Sequence, residues 1–169
     1  MINFNDIKIG EKITKYFTSQ QISEYYVSDS PKTEIGKTVY GKEVKYSFIN
    51  IFKEDKIFSE SYDFVQIYYE NKTDKIVSTS GRYSMFGKNA CLKERDNDVV
   101  IYEKYNNEYS KEKKIHTFPD GLIDDYTYFK NGNVLYVFGC YFYPDGDILK
   151  RQVVYESNYN DYIYKLWNE

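Results

Sequence analysis

The sequence predicts an α+β fold: an N-terminal helical segment, an antiparallel β-meander in one or more sheets, one central helix and a short C-terminal helix. Three observations predict it. Apolar residues alternate at period two over several stretches, as strands require. Asp/Asn-Gly turns punctuate the last third. Near the start, middle and end, apolar residues recur instead at helical spacing.

The elements follow in order. Ile9, Ile13 and Phe17 recur every four residues and predict a first helix, with Gly10 at its opening turn. Thr18 or Ser19 is placed to cap a second short helix carrying Ile22, Tyr25 and Tyr26. Ser28–Lys37 is the most loop-like stretch. Tyr40, Val44, Tyr46, Phe48 and Phe52 then share one strand face, with Ile49 and Ile51 on the other. Polar turns at Lys53–Lys56 and Asn71–Asp74 bound a second strand, Tyr62–Tyr69. A third, Ile76–Phe86, sets Ser78, Ser80, Arg82 and Ser84 on one face, which predicts a wet side. Asn89 is the expected cap of a central helix over Ala90–Tyr105.

The meander begins at Ile115–Phe118 and continues through Ile123–Phe129, Val134–Tyr143 and Ile148–Tyr155. Pro119-Asp120-Gly121, Asn131-Gly132-Asn133 and Pro144-Asp145-Gly146-Asp147 separate its strands. Pro presets φ, Asp bonds its own backbone, and Gly accepts a positive φ. Phe118–Ile123 and Tyr143–Ile148 echo each other, which reads as one efficient turn used twice. Tyr159, Ile163, Leu166 and Trp167 close the chain at helical spacing.

The 169 residues suit a single domain spanning 1–169, and 41% apolar residues suffice for its core. No stretch approaches a membrane span, so no membrane partner is expected. Met1–Asp6 lacks a basic region followed by an apolar run, which makes the cytoplasm the expected location. A net charge of −3 lacks the basic surplus of a nucleic-acid binder, so that partner class ranks last.

Motifs of catalysis are missing from the sequence. There is one histidine, His116, on an expected strand. The chain has no Gly-x-Ser-x-Gly elbow and no Gly-rich phosphate loop. Cys91 and Cys140 are too few and too far apart for a zinc motif and are expected to be buried free thiols, with a disulfide or a reactive thiol as the alternatives. No metal, cofactor or catalytic residue is therefore expected. Asp96-Asn97-Asp98 opens like a calcium loop, but Val99 and Val100 break the pattern. Asp124-Asp125 and Asp145/Asp147 read as solvated turn carboxylates. The lysines of Lys111–Lys114 read as a solvated face.

Tyrosine is abundant, at 21 residues, and two readings stand side by side. Tyr suits recognition surfaces, with large contact area at low entropic cost. It also accompanies A/T-rich codon usage, as does the excess of 20 Lys over 3 Arg.

Two resemblances complete the reading. Asp6-Ile7-Lys8-Ile9-Gly10, followed by the element order to about residue 105, resembles β-lactamase-inhibitor-protein-like and outer-membrane-assembly-lipoprotein-like modules. That resemblance implies a helical hairpin on an antiparallel sheet and protein–protein binding. Tyr128–Val134 and Tyr141–Ile148 resemble the hairpins of MORN-type and YD-type repeats. Their Gly-to-Gly steps of 11 and 14 residues depart from a true repeat, and no functional residue is carried over.

The expected function is a non-enzymatic interaction module, of immunity or inhibitor type, that masks a site on another protein. Tyr126, Tyr128, Tyr136, Tyr141, Tyr143 and Trp167 are its candidate contact residues. The alternative is a small-molecule-binding or enzymatic domain with a Tyr-lined pocket, Asp124 and Glu156 lying nearby.

Overall fold

The computed structural model describes residues 1–26, 33–34, 37–38, 45–60 and 62–168, with side chains for 1–26, 45–60 and 62–165. Tyr40, Val44 and most of the Ser28–Lys37 stretch lie outside the described residues, as does the side chain of Trp167. The strands are β1 (Thr33–Glu34), β2 (Lys37–Thr38), β3 (Tyr46–Phe52), β4 (Phe64–Glu70), β5 (Ile76–Ser84), β6 (Ser110–Thr117), β7 (Ile123–Asn131), β8 (Val134–Phe142) and β9 (Ile148–Glu156). The α-helices are α1 (Ser19–Tyr25), α2 (Lys88–Tyr105) and α3 (Ser157–Asn168). β1 and β2 pair antiparallel, and the other seven strands form an antiparallel sheet in the order β3-β4-β5-β9-β8-β7-β6. The fold is α+β, helical at the N-terminus, the centre and the C-terminus.

The chain divides into two compact units, Met1–Thr79 with Tyr155–Glu169, and Ser80–Val154. In the first, β3 and β4 pair with Ile49 opposite Ile67 and Ile51 opposite Val65, all four buried. Tyr46 and Tyr68 occupy the other face and pack against Tyr159 of α3, at centroid distances of 5.0 and 5.8 Å. The N-terminal segment is helical, but as two 3-10 turns (Phe4–Asp6 and Ile13–Lys15) followed by α1. A continuous first helix does not form because Gly10 turns with φ 87° and its N–H bonds the Ile76 carbonyl. Ile13 and Phe17 are buried nonetheless. Thr18 caps α1 in a reciprocal capping box with Gln21.

The expected wet side of the third strand is corrected. Ser78, Thr79 and Ser80 are all buried, so β5 is covered on both faces along that stretch. Its small hydroxyl side chains permit close packing, and the alternation mistakes them for a solvent face.

In the second unit, α2 starts one residue after Gly87, ahead of the expected Asn89 cap. It turns Cys91, Arg95, Val99 and Tyr102 inward. Val99 and Tyr102 pack on Phe129 of β7 and Phe138 of β8, with Tyr109 and Tyr136 at the margin. The two echoing turns are the same structure. In each, an Asp Oδ1 accepts from the N–H two residues on, at 3.1 Å (Asp120 to Leu122, Asp145 to Asp147). Gly121 and Gly146 each take positive φ. The flanking backbone bonds also match, from Phe118 N–H to the Leu122 carbonyl and from Tyr143 N–H to the Asp147 carbonyl.

Candidate functional site

Strand register sorts the meander residues onto two faces. Asp125, Thr127 and Phe129 of β7 stand opposite Cys140, Phe138 and Tyr136 of β8, and this set faces α2. Side chains alternate along a strand, so Asp124, Tyr126 and Tyr128 point the other way, beside Tyr141, Gly139 and Val137. From β6, His116, Lys114 and Glu112 join that second face.

The α2 face is held by charge as well as by apolar contact. Cys91 and Cys140 are both fully buried and form a disulfide. They are therefore not the free thiols that the sequence suggested. One helical turn beyond Cys91, the Arg95 side chain is 1% exposed. Its guanidinium donates to Asp125 Oδ1 at 2.7 Å, to the Asp125 carbonyl at 3.2 Å and to Asp96 Oδ1 at 2.6 Å. Lys150 of β9, also buried, pairs with Asp98 at 2.8 Å and Glu94 at 3.4 Å and lies over the Tyr83 ring. Asp124 and Asp125 are thus buried strand carboxylates, not solvated turn residues. Each is compensated by an arginine distant in sequence, which adjacency in the chain cannot reveal.

The opposite face carries the candidate site. Arg151 Nη2 donates to Asp124 Oδ2 at 2.6 Å. Its guanidinium carbon lies 4.6 Å from the Tyr141 ring centroid and 5.5 Å from that of Tyr126, within cation–π range of both. Tyr143 packs on Tyr141 at 6.2 Å, and Tyr128 lies 6.3 Å from Tyr126. Lys114 bridges Glu112 and the Tyr128 hydroxyl. All four tyrosines are half-buried.

Gly139 makes the arrangement fit. A Cβ there would stand 2.9 Å from Tyr126 Cβ, 3.2 Å from Arg151 Nε and 3.3 Å from Asp124 Oδ1. The ion pair therefore lies flat on bare backbone. Asp124 Oδ1 and Arg151 Nε make no hydrogen bond among the described residues. Burial pushes the Asp124 carboxyl above its ordinary range, against the lowering effect of Arg151 and the weaker effect of His116, its cross-strand neighbour. Burial likewise raises the Tyr141 phenol, with Arg151 opposing. The raised phenol of Tyr128 owes first to desolvation and then to its hydrogen bond with Glu112.

The structure thus brings Tyr126, Tyr128, Tyr141 and Tyr143 onto one face. Tyr136 stands on the other, 4.9 Å from Tyr102 under α2. Glu156, at the end of β9, falls in the other compact unit from Asp124. His116 is exposed and stacks edge-on against Phe118 at 4.4 Å. Arg151 was missed by sequence reasoning. Its only signal was a lone arginine in a strand otherwise rich in apolar residues. Among the described residues, no cluster of His, Cys, Asp and Glu could hold a metal ion, and no helix is long and apolar enough to cross a membrane.

No family model, no curated protein and no solved structure matches the chain.

Proposed function

We propose that the protein is a binding module, of immunity or inhibitor type, which recognises another protein through the tyrosine face of β6–β9. One observation carries this reading. Tyr126 and Tyr141 flank an arginine whose position is set by a buried aspartate, and Tyr128 and Tyr143 pack against those two rings. Tyr and Arg dominate the energetics of protein interfaces, and rings already packed against each other lose little entropy on binding. Affinity capture from the native host, followed by calorimetry on the recovered partner, tests the reading. Tyr128→Ala is expected to weaken binding by ~30-fold, the size of an interface hot spot. Capture of no protein, or unchanged affinity in Tyr126→Ala and Tyr128→Ala alike, refutes it.

A second reading, a small-molecule or enzymatic site, is favoured by the raised Asp124 carboxyl beside His116 and Tyr141. It requires that a small ligand shift the Tyr141 resonances and leave those of Tyr136 unmoved. On compartment, the Cys91–Cys140 bond favours an oxidising environment, where disulfides persist, over the cytoplasm suggested by the N-terminal residues. Thiol titration of the denatured protein from its natural source decides: two free thiols restore the cytoplasmic reading.

A further inference from the structure

We infer that the free edge of β6 docks an extended acidic segment of a partner protein, which adds to the sheet as an eighth strand. β6 is the last strand of the sheet, and among the described residues it pairs with β7 alone. All eight of its residues are exposed. An edge of this length presents a row of backbone donors and acceptors, which is the template used in β-augmentation. The occupant's chemistry follows from the charges. Lys111, Lys113 and Lys114 stand against Glu112 alone, so the strand is basic in a chain whose net charge is −3.

Those lysines also disfavour a second copy of the chain paired about the strand centre. Antiparallel self-pairing about the strand centre sets Lys113 against Lys114 twice, and like charges directly opposite repel. An acidic strand meets the opposite situation. The local pairs Lys111–Glu103 and Lys114–Glu112 are exposed, and exposed pairs are weak enough to exchange. Half the side chains of an added strand would lie beside Glu112, Lys114 and His116, continuing the tyrosine face. The other half would lie beside Lys111, Lys113 and the exposed Ile115. This inference rests on the reading of the protein as a protein-binding module and names how the partner enters.

The probe is a fluorescent alternating Glu-Thr decapeptide, compared with Gln-Thr and oligo-dT probes of equal length, against the intact oxidised protein. Expected are binding of the Glu-Thr peptide alone, weakening with salt, and slowed amide exchange confined to β6 and its neighbours. Changing Lys111, Lys113 and Lys114 together to Glu should reduce affinity by about tenfold, as for the two exposed ion pairs that the glutamates of an alternating peptide can make with Lys111 and Lys113 on one face. These positions are exposed, so an unchanged circular dichroism spectrum verifies that the variant folds. Equal binding of the Gln-Thr peptide, preference for oligo-dT, or unaltered β6 exchange overturns the inference. A host partner that ignores the triple variant but is lost with Tyr128→Ala overturns the edge and leaves the tyrosine face standing. A partner indifferent to both removes the functional reading itself.

Discussion

Breaking the Cys91–Cys140 bond is the perturbation whose size follows most directly from the chain. The two residues are 49 apart in sequence. In the chain-entropy model, a loop of that length removes about 14 cal/mol/K from the unfolded ensemble, or about 4 kcal/mol at room temperature. For a protein of this size, that corresponds to a fall in Tm of roughly 8–16 °C. The assay is thermal unfolding followed by circular dichroism. It compares the oxidised chain, the chain reduced under denaturant and refolded with reductant, and the Cys91→Ala/Cys140→Ala double variant. Reduction keeps both side chains in the chain, so the reduced protein isolates the cross-link. The double variant adds a cavity term and should fall further. Equal Tm values for oxidised and reduced chains, to within about 2 °C, would show that the loop estimate does not describe this protein.

Other outcomes follow from the charged contacts. Asp125→Ala leaves the buried Arg95 with only the exposed Asp96 as counter-ion and should cost about 3 kcal/mol, whereas Arg95→Met with Asp125→Leu should recover most of it in denaturant titrations. Gly139→Ala forces Tyr126 or Arg151 off the sheet, for a loss of about 1–3 kcal/mol; an unchanged midpoint refutes the close packing. Because burial raises the folded Asp124 carboxyl, the folded chain holds its proton after the unfolded chain has released it. The resulting stability is complete below the unfolded value, near ~3.9, and is lost as pH rises through the folded one. Relative to Asp124→Asn, the native chain should therefore lose stability across that window, and a gain would reverse the sign assigned here.

Most of the meander was legible because its signals are local. Asp120-Gly121, Asn131-Gly132 and Asp145-Gly146 fix their turns within a few residues, and the strands between them follow. Thr18 announced α1 for the same reason. The first helix misread Gly10, whose positive φ is stabilised by a bond to Ile76, a residue far along the chain. The burial of Arg95 at the centre of the inward face of α2 was not legible. Its partner Asp125 lies thirty residues away, and local periodicity carries no information about such a pair. The tyrosine face was half legible. Alternation put Tyr126 and Tyr128 together and set Tyr141 opposite Tyr136, but only the register with β8 shows which of those two joins them.

The buried charges of the Ser80–Val154 unit have a thermal consequence. Unfolding exposes Arg95, Asp124, Asp125 and Lys150 along with its apolar residues. Apolar exposure raises the heat capacity, while polar exposure lowers it. This unit's heat-capacity increment on unfolding is therefore smaller than an all-apolar interior of the same size would give. Its stability curve is correspondingly flatter, holding the fold over a broader span of temperature around its maximum without making that maximum higher.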